Sequence, residues 1–462
     1  MGTTTSNLLY LVTIVCFVLA LRFLSSPTTA RRGNRIGAFG MAVAIVVTLA
    51  NSSVHIGWQI IAGGAIGAVF GAVAARRVKM TAMPQMVALF NGVGGGAAAL
   101  VSLAEFHNRA PLPGKLHVDV AIAIVLSALI GSVSFAGSMV AFAKLQELIR
   151  GRPITYPGQQ FVNFAVAAVV LAAGIAIIAG AEKQWLLLLL IVGSLVFGVL
   201  FVLPIGGADM PVVISLLNAC TGLAAAATGF ELDSSVLIVS GALVGASGTL
   251  LTMLMGRAMN RSLANVLFGA FGQVQAGAGS AAAYEGTVRS VTPEDVAIML
   301  SYASRVVIVP GYGMAVAQAQ HAVRELADEL EKKGVTVEYA IHPVAGRMPG
   351  HMNVLLAEAN VPYPALKEMD EINPEFAQTD VALVIGANDV VNPAARNEPG
   401  SPIYGMPILN VDQAHQIVVM KRSMATGFAG IDNPLFLDDK TVMLFGDAKE
   451  SVLKLVAGVK AS

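Results

Sequence analysis

Apolar residues fill the first half of this chain in blocks of about 20, the length that crosses a bilayer as a helix. Such blocks lie near 7–24, 36–51, 57–75, 83–103, 118–143, 161–181, 184–204, 210–229 and 235–256 and predict about nine transmembrane helices, the second being the shortest. Beyond Ser262 the pattern changes. A brief apolar stretch gives way to Ala276-Gly277-Ala278-Gly279-Ser280-Ala281-Ala282-Ala283, too rich in small residues to pack, and 263–291 reads as a flexible linker. Thr292-Pro293-Glu294-Asp295 then supplies a helix start: a capping hydroxyl, a proline in the first turn, and acids against the helix dipole. From there β-branched runs alternate with amphipathic stretches. Strands are predicted at 305–310, 336–342, 380–386, 407–411, 416–420 and 441–445, and helices at 313–333 and 447–459. The alternation predicts a membrane domain over 1–262 and a parallel α/β domain over 292–462.

Composition agrees with that division. Charged residues make up 13% of the chain and apolar residues 55%, with a mean hydropathy of +0.71, whereas soluble domains carry about 25% charged residues. Basic residues collect in alternate loops: Arg31, Arg32 and Arg35; Arg76, Arg77 and Lys79; Lys144, Arg150 and Arg152; Arg257 and Arg261. The intervening loops hold only Arg109, Lys115 and Lys183, and one of them is the acidic Glu231-Leu232-Asp233. This asymmetry places the C-terminal domain inside and the N-terminus outside. No basic segment precedes residues 8–24, so they read as a retained first span rather than a cleaved signal. A net charge of +0 speaks against a nucleic-acid partner. Cys16 and Cys220 both lie in apolar runs, which points to neither a disulfide nor a metal site.

The candidate chemistry begins where the strand Arg305–Pro310 runs into Gly311-Tyr312-Gly313-Met314-Ala315-Val316-Ala317. A strand, a glycine turn and a helix start form the arrangement that receives a dinucleotide pyrophosphate. Gly311 permits the turn and Gly313 close approach, while the third fingerprint position holds Val316, bulky enough to hold helix and strand apart. NAD-specific sites end the second strand in an acid. Here that strand ends Ile341-His342-Pro343, with Arg347 following, which favours NADP(H). Lys421-Arg422-Ser423 offers a second place to grip a phosphate, and spacing alone does not choose between the two. Thr426-Gly427-Phe428-Ala429-Gly430 reads as a glycine-flanked lid.

These segments, with the run from His342 through Gly346-Arg347 to Gly350-His351-Met352-Asn353, Gly386-Ala387-Asn388-Asp389 and Lys421-Arg422-Ser423-Met424, resemble the β subunit of proton-translocating NAD(P) transhydrogenase. The likeness continues through Gly206-Gly207-Ala208-Asp209-Met210-Pro211, Asn218 and Gly241-Ala242-Leu243-Val244-Gly245, and so spans the chain. It implies a Rossmann-like C-terminal domain holding NADP(H) in reversed orientation. The glycine loop then contacts the pyrophosphate, Lys421, Arg422 and Ser423 hold the 2′-phosphate, and Arg347 and Asp389 flank the nicotinamide half. Phe428 stands where the family's lid carries tyrosine, so a hydroxyl is missing there.

Within the spans no ionisable side chain lies well inside a helix; Asp119 and Asp209 sit at span ends. The polar residues are neutral: Asn91, Ser134, Ser138, Ser215, Asn218 and Ser247. The serines read first as packing groups, the two amides as lining of a hydrated path. Some relatives carry histidine where this chain has Asn91; an amide orients water but does not titrate. The titrating group is therefore expected on a partner helix or at Asp209. Gly241, Gly245 and Gly248 allow close helix approach, and Asp209, Arg257 and Arg261 are candidates for coupling to the α/β domain.

The function expected is hydride transfer between NADP(H) bound here and NAD(H) on a partner α subunit that brings further membrane helices, coupled to inward proton movement. The setting expected is a bacterial inner membrane, with a homodimer of αβ units, a cytoplasmic C-terminal domain and no metal. No side chain is assigned as a catalytic acid or base, because hydride passes directly between nicotinamides. A nucleotide-gated channel would also join spans to such a domain, but the missing acid after the second strand and the lack of a charged pathway count against it.

Overall fold

The computed structural model describes residues 3–26, 28–50, 57–78, 82–110, 116–146, 148–149, 154–206, 209–258, 287–346, 350–399, 401, 403–427 and 429–462. They divide into two compact units, one built mainly from residues before 253 and one mainly from those after it. Arg347, Phe428 and 263–286 of the predicted linker lie outside the described residues.

Among the described residues the N-terminal unit contains nine long helices: α1 (Thr3–Leu24), α2 (Ala30–Leu49), α3 (Trp58–Arg77), α4 (Met83–Arg109), α5 (Val118–Leu145), α6 (Gln159–Ile178), α7 (Gln184–Val202), α8 (Met210–Glu231) and α9 (Ser235–Ala258). Eight are long and apolar enough to cross a membrane. The exception is α2, which begins at Ala30 and takes Arg31, Arg32 and Arg35 into its first turns. The count of nine predicted spans is thus approximate at the element where the hydrophobic block was shortest.

Small residues decide how these helices pack. α5 is the most enclosed span, and α3 has no buried residue. A Cβ at Gly131 of α5 would lie 2.5 Å from the Gly95 carbonyl oxygen of α4, and one at Gly95 would lie 2.8 Å from that of Gly131. The two backbones touch, which gives close contact without any side chain between them. The α8–α9 pair is equally close: a Cβ at Gly222 would stand 2.6 Å from the Gly245 nitrogen and 2.9 Å from the Gly241 oxygen, and one at Gly248 3.0 Å from the Ala219 side chain. Phe106, Ile124, Leu187 and Leu190 fill the space between α4, α5 and α7. Lys144, placed by sequence in a basic loop, is in fact 3% exposed. Its ammonium donates to the carbonyls of Val202, Leu203 and Ile205, and so closes the C-terminal end of α7.

The C-terminal unit is a six-stranded, wholly parallel sheet in the order β3-β2-β1-β4-β5-β6. The strands are β1 (Arg305–Pro310), β2 (Thr336–Ile341), β3 (Leu366–Glu368), β4 (Val381–Ile385), β5 (Gln416–Lys421) and β6 (Thr441–Phe445). The chief helices are α10 (Pro293–Tyr302), α11 (Tyr312–Ala317), α12 (Gln320–Lys332), α13 (His351–Glu358) and α14 (Ala448–Ala461). Val307, Val309, Ala382, Val384, Ile417, Val419 and Met443 are fully buried, as β-branched strands covered on both faces should be. The start of α10 is a capping box between Thr292 and Asp295, as its sequence predicts.

Three expectations need correction. The strand predicted at 407–411 is not one: Pro407 has no N–H, and the Ile408 carbonyl and Asn410 N–H are both bound by the Asn373 side chain. The sheet edge is instead β3, too short for periodicity to reveal. The single helix predicted at 313–333 breaks into α11 and α12 at Gln318, which is left-handed at φ +50°. Residues 289–291, assigned to the linker, run beside β6, with Val291 N–H on the Met443 oxygen (3.0 Å) and Met443 N–H on the Arg289 oxygen (2.7 Å).

Gly131→Ala should force α4 and α5 apart and cost about 1–3 kcal/mol, the usual range for overpacking. Thermal unfolding of the detergent-solubilised chain reads this as a lowered Tm. Gly63→Ala, on α3 where the added methyl meets nothing within 4 Å, should leave the Tm unchanged or slightly raised.

Candidate functional site

The sheet reverses its direction of growth between β1 and β4, the position where open α/β sheets bind ligands beyond their carboxyl ends. The turns there are fused backbone to backbone. Gly311 N–H donates to the Ile385 oxygen (2.9 Å), Gly313 N–H to the Gly386 oxygen (3.0 Å) and Gly386 N–H to the Met420 oxygen (3.1 Å). Gly386 is left-handed at φ +68°, and a Cβ there would collide with the Gly313 Cα. A Cβ at Gly313 would in turn lie 2.7 Å from the Gly386 Cα. Three strand ends are thus tied into one cradle.

The remaining predicted residues distribute unevenly around it. Met314 and Ala315 are fully buried and pack α11 inward, while Val316 is 47% exposed. The bulky third fingerprint residue therefore points away from the sheet and does not separate helix from strand. Ala317 ends α11, which has only six residues, so the cradle relies on backbone at 311–313 more than on a helix dipole. The Tyr312 ring stands 6.5 Å from that of His351. Gly346 is left-handed at φ +107°, and a Cβ there would lie 2.8 Å from the His351 Cβ, so the loop after β2 closes onto that buried ring.

His342 faces inward. It is 1% exposed; the Val344 N–H donates to its Nδ1 (3.2 Å), which leaves Nε2 to donate to the Pro407 oxygen (2.8 Å). Both nitrogens are committed, so the ring ties the loop after β2 to the segment before Ile408 instead of facing a ligand. Burial, opposed by the Pro407 bond, pulls its pKa from 6.5 to about 4.

A cleft of about 260 Å³ opens beside the cradle, lined among others by Asn388, Lys421, Thr426, Asp432, Asn433 and Phe436. Lys421, at the end of β5, lies over the Phe436 ring (4.6 Å) and donates to the Ala425 oxygen (2.8 Å). Burial lowers its pKa, against the opposing pull of Asp389 and Asp432. Arg422 and Ser423 follow it on the exposed surface, the Ser423 hydroxyl accepting from the Ala425 N–H (3.4 Å). Asn433 donates to the oxygens of Asn388, backbone (3.1 Å) and side chain (3.2 Å). Asp389 accepts from the Ala429 N–H (3.0 Å), and a Cβ at Gly427 would stand 2.5 Å from its Oδ1. A side chain at 427 would have to displace the Asn388 and Asp389 side chains, and residues on either side of Phe428 rest on the Asn388-Asp389 turn.

In the N-terminal unit, Asn91 of α4 donates to Ser138 (2.9 Å) and Ser134 (3.3 Å) of α5, and Ser134 meets Thr221 (2.5 Å) and the Leu217 oxygen (2.9 Å) of α8. Asn218 is half-buried on the same helix, next to that carbonyl. Gly248 accepts from Thr252 (2.7 Å) and Ser215 (3.4 Å) through its carbonyl. Asp209 stands half-buried just before α8. One ionisable group escaped the sequence reading: Glu231, taken for part of an acidic loop, closes α8 at 1% exposure. Its only sequence signal was its place just past the apolar block 210–229.

Long apolar helices continuous in one chain with a doubly wound parallel sheet, whose open end carries fused glycine turns and a half-buried lysine, define a polytopic membrane protein with a nucleotide-type α/β unit. The chain belongs to the family described as NAD(P) transhydrogenase beta subunit, whose family model matches residues 6–458. Two curated relatives, both called NAD(P) transhydrogenase subunit beta, come from Rhodospirillum rubrum, one of them from a specified strain. Each is 50% identical to this chain over 452 residues, covering 97% of both sequences.

Two outcomes follow from this geometry. Gly386→Ala should destabilise the α/β unit by about 1–3 kcal/mol and weaken nucleotide binding, since it adds backbone strain and a collision inside the cradle. Gly334→Ala, equally left-handed at φ +86° but open to solvent, should cost about 1 kcal/mol and leave binding alone. Calorimetric melting with a parallel binding titration compares them. For His342 the unfolded ring takes up a proton below its ordinary pKa of 6.5, whereas the folded one waits until about 4. Stability should therefore be full above pH 6.5 and fall by up to about 3 kcal/mol as pH drops towards 4. Urea unfolding of the α/β unit across that range, flattened in His342→Asn, checks the assignment.

Proposed function

We propose that this chain is the NADP(H)-binding, proton-translocating subunit of a transhydrogenase, exchanging hydride with NAD(H) held on a partner α subunit and moving protons inward. The carrying observation is the convergence of the glycine cradle, Asn388-Asp389 and Lys421 on the carboxyl ends of β1, β4 and β5. When bound, the nicotinamide supplies the hydride chemistry, and no side chain needs to act as acid or base on it.

The residues present suit a phosphate-bearing dinucleotide. Gly311 and Gly313 let a pyrophosphate approach the backbone. Lys421 is a cation partly stripped of water, with two acids nearby and a carbonyl accepting one of its protons. A phosphate dianion is a better complement for it, and Arg422 and Ser423 add a second cation and a hydroxyl. β2 ends without a carboxylate in 342–346, which removes the usual preference for an unphosphorylated ribose. Asp389, pinned by the segment around Gly427, would hold the nicotinamide half, with Arg347 and Phe428 contributing from the adjoining loop and lid.

In the membrane unit, Asn91, Ser138 and Asn218 would order water, Gly248 would keep α8 and α9 close, and Asp209 would exchange protons at the inner mouth. Coupling requires that oxidised and reduced nucleotide favour different states of the protein. The setting that fits is a bacterial inner membrane with the C-terminal unit cytoplasmic, in a homodimer of αβ units, and 421–430 as a segment that responds to the nucleotide.

Lys421→Ala and Arg422→Ala should each weaken NADPH binding by about 10- to 100-fold, the worth of one or two charge-assisted bonds, with NADH binding little altered. Titration calorimetry with both nucleotides decides; equal losses for the two would remove the phosphate assignment.

A further inference from the structure

Glu231 is the one carboxyl among the described residues that the membrane unit encloses from three helices. Ser102 of α4 donates to its Oε1 at 2.7 Å, and its Oε2 has no hydrogen-bond partner among the described residues. Ser127 of α5 lies beside it and bonds Thr228 of α8 at 2.7 Å. The nearby charges are Glu105 and Arg109 of α4, which pair with each other. Arg109 also reaches Glu231, but through the backbone oxygen (2.9 Å), not the carboxylate. The carboxyl therefore sits among hydroxyls without a cation paired to it, an arrangement that structure alone does not require.

Its place along the helices gives it a use. α4 and α5 run antiparallel, so Ser102 and Ser127 share one level of the bundle and Asn91, Ser134 and Ser138 another. α8 contributes Thr228 to the first level and Thr221 to the second. The two levels stand seven residues apart on α5 and on α8, about 10 Å, and the α4–α5 wall between them is made of Gly95, Ala98, Ala128 and Gly131. A seam of hydroxyls and one amide thus runs along α4, α5 and α8, with a single titratable end, on the face opposite Lys144. From this geometry we infer that Glu231 is a proton-exchanging residue of the membrane unit, an inference that rests on the proposed proton translocation and supplies the titrating group absent at Asn91. Its carboxylate, enclosed in this structure, takes a proton at Oε2 from water admitted to the seam while Ser102 holds Oε1, and releases that proton to water further along the seam. Ser102 acts as a positioning residue.

The test uses the full chain with its partner subunit in sealed vesicles, reading hydride exchange from NADPH to an NAD analogue, lumen pH, and NADPH affinity. Glu231→Gln should cut proton movement by about 100-fold, the lower end for loss of an acid–base group, with NADPH affinity unchanged. Glu231→Asp should restore part of it, and Ser102→Ala should shift the pH profile of coupled turnover. Native proton movement in Glu231→Gln overturns the inference, as does an unshifted profile in Ser102→Ala, which decides the matter if the glutamine variant fails to fold. A native protein that exchanges hydride without any change in lumen pH would instead sink the proposed function itself.

Discussion

The site depends on one backbone contact: Gly313 laid against Gly386 where the sheet reverses. Neither position tolerates a side chain, and the accompanying bonds from Gly311 to Ile385 and from Gly386 to Met420 extend the contact to β5. Because the turn after β4 is fixed in this way, Asn388 and Asp389 are presented at a set height above the sheet. Asn433 and the segment around Gly427 then dock on them. Lys421, one residue beyond Met420, inherits its position from the same ladder. A change at the cradle therefore propagates to Asn388, Asp389 and Lys421, whose backbone positions it sets.

The membrane unit follows the same logic with different means. Lipid offers helices no hydrophobic reason to associate, so close packing and polar contacts must supply it. Gly95 on Gly131 and Gly222 on Gly241 and Gly245 bring backbones together. Gly94 of α4 and Gly137 of α5 in turn face Thr221 and Leu217 of α8, so short polar side chains on the three helices reach one another, and Asn91, Ser134, Ser138 and Thr221 become a connected group. The glycines are what make a polar seam of such small residues possible.

Much of this architecture was legible from the chain itself. Parallel strands such as Val306 to Val309 and Val381 to Ile385 are continuous β-branched or aliphatic runs, and the capping box at Thr292 is a local motif with a local cause. The glycines at 311, 313 and 386 stand out because their neighbours demand missing side chains. What stayed hidden has a physical reason in each case. Gln318 breaks a helix with no glycine or proline to mark it. β3 is three residues long, below any period. His342 lies next to the glycine loop in sequence, yet its ring turns inward because Pro407, distant in the chain, offers it an acceptor. Lys144 and Glu231 both sit at helix ends, where charged residues ordinarily meet water; only tertiary packing shows that one caps α7 and the other is enclosed by α4 and α5.

The two levels of the seam divide the chemistry between them. Asn91 commits both amide protons to Ser134 and Ser138, while its Oδ1 has no partner among the described residues. An amide held this way offers an acceptor in a fixed direction and never changes charge. Glu231 is the complement: one oxygen held by a hydroxyl donor, the other enclosed without a hydrogen-bond partner among the described residues, and, in the inferred role, a charge that changes by one. Between them lie hydroxyls, each able to donate one proton and accept another, so either order of donation along the seam is available. A path assembled from such parts carries protons only when water fills the gap between levels. The wall of that gap consists of glycine and alanine, so small relative shifts of α4, α5 and α8 would admit or exclude that water. Under the proposed proton translocation, control over passage lies in helix spacing rather than in any single gate residue, so a nucleotide need not contribute a side chain to the path.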